Sequence, residues 1–216
     1  MNRREFSAQL MATGAVAAAA GFSGMAGAQG RIPEEGTHYV RLSQPLTVPP
    51  GKIEVVDFFW YGCPHCNAFE PALDAWSKKL PDDVAFRRVP VAFRKEPDVA
   101  HQKIFYALDA MGLIPTMHRK VFYGIHGQRM RLDKAPDIAA FMQQNGVDST
   151  KFLEYFNSFT IQTKAQQAAK LALDYKIDGV PAIGVHGRYY TAASLAGPEG
   201  SLQVASFLID KVRKSG

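Results

Sequence analysis

Val55-Val56-Asp57-Phe58-Phe59-Trp60-Tyr61-Gly62-Cys63-Pro64-His65-Cys66 is the stretch that decides the fold. From Ile53 to Phe59 it is nearly continuously apolar and rich in Val and Phe, the pattern of a short strand buried on both faces. It then meets a glycine and C-P-H-C, which holds the only 2 cysteines of the 216 residues. A C-x-x-C spacing puts two sulfurs one helical turn apart, close enough to pair. Pro64 stands where a first-turn helix proline belongs, so the second sulfur is expected inside a helix and the first just ahead of it.

Working outward, Phe69, Leu73, Trp76 and Leu80 fall on one helical face, with Pro71 expected to kink the helix or interrupt its hydrogen bonding. Pro81-Asp82-Asp83 turns the chain, and Val84 to Val91 alternates as a second inner strand, parallel to the first through a right-handed crossover. Gln29 to Pro50 is an extended arm with strand alternation over Thr37–Leu42. From Pro97 to about Ile177 the pattern is helical, with Asp148-Ser149-Thr150 capping one helix and Thr160 leading into a long one from Thr163. Ala182–Val185, a His186-Gly187 turn and Arg188–Thr191 make an antiparallel hairpin, and Gly200–Arg213 a final helix. The order predicts an α/β, thioredoxin-like fold with an inserted all-helical subdomain. Its thioredoxin-like domain is discontinuous, 29–96 and 166–216, around an insert at 97–165.

Residues 1–28 are set apart as a secretory signal: Arg3-Arg4, an apolar Leu10–Phe22 and an Ala26-Gly27-Ala28 cleavage site. Arg3-Arg4-Glu5-Phe6 leaves open whether the route is the general or the twin-arginine one. No later stretch is long and apolar enough to span a bilayer. The formal charge of +5, +4 without the leader's Arg3, Arg4 and Glu5, is scattered and argues against nucleic-acid binding. An exported chain lives where disulfides persist, yet this one has no second pair to staple it. So tight a loop stabilises little by chain entropy, so the pair is better explained by chemistry.

That chemistry follows from position. The free N–H groups and positive end of the helix begun by Pro64 favour a thiolate at Cys63, and His65 adds a donor or a charge. The thiolate belongs only to the reduced form, so each unit of lowered pKa, about 1.4 kcal/mol or roughly 30 mV, makes the pair a stronger oxidant. Cys66, one turn in, is more shielded. Zinc, held by Cys63, Cys66, His65 and a distant histidine, is a weaker reading, since no second C-x-x-C is present and His101, His118 and His126 lack a pair motif. Those lone histidines are expected to face solvent or to be satisfied locally. A charged Asp57 inside an apolar strand requires a partner or a raised pKa.

Cys63-Pro64-His65-Cys66 after a Phe-rich strand, with Gly179-Val180-Pro181 far downstream, resembles the DsbA family of exported thiol oxidases over nearly all of the mature chain. The resemblance implies a periplasmic dithiol–disulfide oxidoreductase that donates its Cys63–Cys66 disulfide to reduced, unfolded exported proteins. It needs no other cofactor and no metal, acts as a monomer, and is reoxidised by a quinone-linked membrane partner of the DsbB type. It implies a cis Pro181 packed against the disulfide, leaving the Val180 backbone to pair with an extended substrate. It also implies Asp57 beneath Cys66 as a proton relay, and Glu70 and Arg88 as an acid and a base near the same buried site. Trp60 and Tyr61 are expected to form an apolar apron for docking chains. Gly62 departs from the family's frequent aromatic before the first cysteine. The alternatives are an isomerase or reductase of the same fold, or a chaperone or metal-binding module in which the cysteines are incidental.

Overall fold

The computed structural model describes residues 32–215, so the leader assigned to 1–28 lies outside it. Strand β1 (Val40–Arg41) is a short remnant of the expected Thr37–Leu42 strand, because a turn ahead of it takes up the chain. Strand β2 (Ile53–Phe59) is buried along nearly its whole length, and helix α1 (Pro64–Ser77) follows after a four-residue connection. Strand β3 (Val84–Pro90) returns parallel to β2. Helices α2 (Asp98–Ala110), α3 (Ile114–His126), α4 (Ala135–Gln144) and α5 (Ser149–Asn157) come next, then α6 (Phe159–Asp174). Asp148 caps α5 through Lys151 N as expected, but Ser158 caps α6 through Ile161 N and starts it earlier than Thr163. The α6 helix runs unbroken past position 165. Strands β4 (Ala182–Val185) and β5 (Tyr189–Ala192) form the hairpin, followed by a short α7 (Ala193–Ala196) and by α8 (Pro198–Lys214).

The sheet order is β1-β5-β4-β2-β3. β3, expected as an inner strand, is therefore an edge. Its alternation reflects that: Ala85 and Arg87 reach solvent while Val84 and Val89 are buried. Pro90, without an N–H to give, ends the strand, and the next N–H, that of Val91, donates to Phe59 O at 2.8 Å. Val55 joins Phe69 and Leu73 of α1 and Leu208 of α8 on one face, whereas Val56 and Phe58 join Ala168 and Ala172 of α6 on the other. Burial on both faces explains why β2 reads as a continuous apolar run. A third cluster holds Ile104, Val121, Phe122, Phe141 and Phe152 of the helical segment together with Phe59, Tyr61, Cys63 and Cys66. The helices after β3 therefore roof the cysteine end of β2.

Pro71 stays within α1. Lacking an N–H, it cannot bond the carbonyl of Asn67, and that freed carbonyl accepts Arg119 Nη1 from α3 at 3.3 Å. The interrupted hydrogen bond is thus reused to tie the roof to the active-site helix.

Candidate active site

Cys63 is the N-cap of α1, with φ −84° and ψ 116°, and its Sγ accepts the Cys66 backbone N–H at 3.4 Å. Its own backbone N–H bonds Trp60 O at 3.0 Å, closing the turn through Gly62. The placement of the Trp60 ring requires glycine there, since a Cβ at position 62 would lie 2.3 Å from the ring. The unusual Gly62 thus makes room for the indole, which stacks on His101 (6.0 Å between centroids) beneath the Arg94 guanidinium.

Both cysteines are free thiols in this structure and both are buried, Cys63 7% and Cys66 3% exposed. Hydrogen bonding to Cys66 lowers the Cys63 thiol to about 6, against an opposing push from burial, with further help from the backbone of Cys66 and His65 and from the charge of His65. Burial pushes the Cys66 thiol far up, helped by Cys63 and by nearby Asp57. Pro64 and His65 are exposed and present the motif at the surface. The Val180–Pro181 bond is cis, Pro181 is buried, and Val180 O lies 3.5 Å from Cys63 Sγ.

Beneath Cys66 the sheet register sets Asp57 beside Arg88 of β3 on one side and Ile183 of β4 on the other. Asp57 is 1% exposed, and neither carboxylate oxygen has a hydrogen-bond partner among the described residues. Burial, then the neighbouring Glu70, raise its pKa well above the carboxylate range, with Arg88 opposing. Glu70, in α1, takes Arg88 Nη2 at 2.5 Å. Burial would push Glu70 upward, but His118 and the Arg88 guanidinium outweigh it and hold its carboxyl below its usual value. Asp57, Glu70 and Arg88 thus lie together beneath the cysteines, with the guanidinium paired to Glu70 and no hydrogen bond to Asp57.

Two placements differ from expectation. Tyr61 is not on a docking apron: it is 0% exposed, and its hydroxyl lies 2.8 Å from His118 Nδ1. Trp60 remains half-buried, packed with Val180 against the same core cluster. His118, expected to face solvent or be satisfied locally, is instead buried on α3 and set 3.4 Å from Glu70 Oε2, a site role the sequence reading did not give it. The signal was available, since His118 lies one helical turn before Val121 and Phe122 on the buried face of α3. His101 is also buried, with Nε2 on Arg131 O, while the half-buried His126 places its Nε2 on Tyr61 O, each at 2.8 Å. Among the described residues no group of three or more His, Cys, Asp or Glu is placed to hold a metal ion.

The DSBA-like thioredoxin domain model matches residues 54–200. The thiol:disulfide interchange protein DsbA of Pseudomonas aeruginosa is 45% identical over 201 residues, covering 92% of this chain and 94% of that protein. Its namesake from Azotobacter vinelandii is 44% identical over 184 residues, or 83% and 85% of the two chains. The crystal structure of Pseudomonas aeruginosa DsbA superposes with a TM-score of 0.80 at 44% identity, over 83% of this chain and 94% of that one. That of the oxidoreductase DsbA from Xylella fastidiosa gives 0.77 at 30%, over 85% and 99%. A capped thiol opposite a cis proline, over a buried acid and within a helical roof, is thus found in a chain that belongs to the DsbA-like thioredoxin domain family.

Proposed function

We propose that this protein is a thiol:disulfide oxidoreductase working as an oxidase, which gives its Cys63–Cys66 disulfide to reduced, newly exported proteins in the periplasm. The observation that carries the direction is the split between the two thiols, Cys63 lowered to about 6 and Cys66 pushed far up. A low-pKa thiol stabilises the reduced state and leaves readily from a mixed disulfide, both of which suit an oxidant.

A substrate thiolate attacks Cys63 Sγ, forming the mixed disulfide as the Cys63–Cys66 bond breaks. The electron pair leaves on Cys66, a poor leaving group at its high pKa. The protonated Asp57 carboxyl beneath it supplies the proton, so Cys66 ends as a thiol and Asp57 as a carboxylate. The second substrate thiolate then attacks the substrate sulfur of the mixed disulfide and Cys63 departs as thiolate, the substrate oxidised and the enzyme reduced by two electrons. On reoxidation Asp57 carboxylate takes the Cys66 proton back. A quinone-linked membrane oxidant of the DsbB type is the proposed acceptor, and the redox-active pair is the only cofactor proposed. The extended backbone of the client is proposed to pair at Val180, against cis-Pro181 and the rim of Trp60. This suits a macromolecular substrate: the groove of about 590 Å³ between β3, α2 and α6 is lined by neither cysteine. A monomer suffices, since one chain supplies every residue named.

Equilibration with glutathione tests the direction. A reduction potential well above thioredoxin's, near −270 mV, is expected. A value at or below it would make the protein a reductant, and retained turnover in Cys63→Ser would remove the dithiol mechanism.

A further inference from the structure

Beneath the cysteines two buried carboxyls, Asp57 and Glu70, lie near one guanidinium, and the relay works only if the proton rests on Asp57. Arg88 bonds Glu70 through Nη2 and makes no bond to Asp57, yet the register keeps it directly beside Asp57, so it favours the charge on Glu70 without fixing it there. The side chain that fixes it is on α3. Phe59, Tyr61, Phe105 and Phe122 surround the His118 imidazole with ring centroids 5.2–5.9 Å away, an apolar box that fixes its orientation. The buried Tyr61 keeps its phenol proton, since burial raises its pKa well above the usual value. Its O–H donates to His118 Nδ1 at 2.8 Å, because the opposite tautomer would set a bare Nε2 lone pair against the Glu70 carboxylate. A neutral imidazole accepting at Nδ1 carries its proton on Nε2. That N–H has no fully formed hydrogen bond among the described residues and faces Glu70 Oε2 at 3.4 Å.

We propose that His118 is a positioning residue that decides which buried carboxyl is ionised, its Nε2–H committing the negative charge to Glu70 and so keeping the relay proton on Asp57. The inference rests on the oxidase reading and adds to it a tautomer-setting chain: Tyr61 O–H to His118 Nδ1, then His118 Nε2–H to Glu70. The groups that act on this charge balance are Tyr61 after β2, Glu70 and Asp74 on α1, the latter 4.0 Å from Arg88, Arg88 on β3 and Arg119 beside His118 on α3, with Cys66 facing Asp57. Burial keeps His118 neutral against the pull of Glu70, so the buried pair of Glu70 and Arg88 sits beside a neutral imidazole and a neutral acid.

The test is the pH profile of single-turnover oxidation of a small dithiol by the disulfide form. The substrate's ionisation is common to all variants, so differences report the enzyme. His118→Leu removes the donor, leaves Arg88 free to stabilise an ionised Asp57, and moves the alkaline limb to lower pH by about one unit or more. His118→Gln keeps an N–H toward Glu70 and restores the wild-type limb. Tyr61→Phe releases the tautomer and shifts the limb the same way by less, which serves if His118→Leu does not fold. The protonated-carboxyl infrared band assigned through Asp57→Asn should titrate in parallel. An unmoved limb in folded His118→Leu or, failing that, in Tyr61→Phe overturns the inference, as does failure of His118→Gln to restore what His118→Leu has moved. Absence of oxidation by the wild type would instead overturn the functional reading.

Discussion

Cys63 and Cys66 are the same side chain one helical turn apart, and their surroundings push them in opposite directions. Cys63 has its sulfur at the open N-terminus of α1, where hydrogen bonding with the Cys66 thiol, helped by the Cys66 N–H that donates to it, brings it down to about 6. Cys66 is inside the helix, 3% exposed, over a buried acid, and is driven up. The contrast shows that a single turn of helix separates a leaving group from a proton-requiring one. The first environment is largely the motif's own, the Cys66 thiol and N–H bonding Cys63 across the cap that Pro64 starts; the second comes from burial under residues that the sheet and the helical roof bring together.

The strongest way to break the contrast is to delete each sulfur in turn. Cys63→Ser should lose all turnover on a reduced, unfolded protein and capture none of it. Cys66→Ser, with no disulfide of its own to give, should also lose turnover. Primed at Cys63 as a mixed disulfide with a small aromatic thiol and given a single-cysteine client, it should release the aromatic thiol and accumulate a Cys63–client mixed disulfide visible by non-reducing electrophoresis. If Cys66→Ser trapped nothing while Cys63→Ser did, the two roles would be reversed.

Next in size is the buried acid. Asp57→Asn keeps the shape of the carboxyl but has no transferable proton, so release of Cys66 should slow on the order of a hundredfold. Asp57→Leu should slow it as much while raising stability by about 1–3 kcal/mol, because a buried carboxyl without hydrogen bonds is replaced by an apolar group. Stopped-flow mixing with a dithiol and a denaturant titration of each variant read the two effects. A variant both faster and less stable would show that Asp57 is structural.

The two thiol environments were not equally visible from the sequence. The upper one is local: strand, glycine, cysteine and proline follow one another, and cap, helix and β2 lie where the periodicity places them. The lower one is assembled from four segments. Asp57 stood out as a polar residue in an apolar run, but that Glu70 clamps Arg88 while Asp57 keeps its proton depends on register and on α3. His118 was hidden because a lone histidine on an apolar helix face looks like a satisfied core residue. Tyr61 looked like a surface aromatic beside Trp60, whereas strand continuation turns it inward to His118. β3 looked interior because Val84 to Val91 alternates as a half-buried strand does, and alternation alone does not tell an edge strand from an inner one.

The smallest expected effects concern the outer thiol. Its depressed pKa stabilises the reduced protein relative to the oxidised one. That contribution is complete above the unfolded thiol value of 9.0 and is lost as pH falls toward about 6. The gap between the denaturation midpoints of the dithiol and disulfide forms should therefore narrow over that window. Alkylation of Cys63 should show a midpoint near 6, with Cys66 unreactive throughout. His65→Leu should move that midpoint upward only modestly, because hydrogen bonding with the Cys66 thiol and backbone holds Cys63 down and the charge of His65 adds least. Were His65→Leu instead to return Cys63 close to 9.0, the charge on the exposed imidazole would outweigh the hydrogen bonds from Cys66, and the turn of helix between them would no longer explain why these two sulfurs differ.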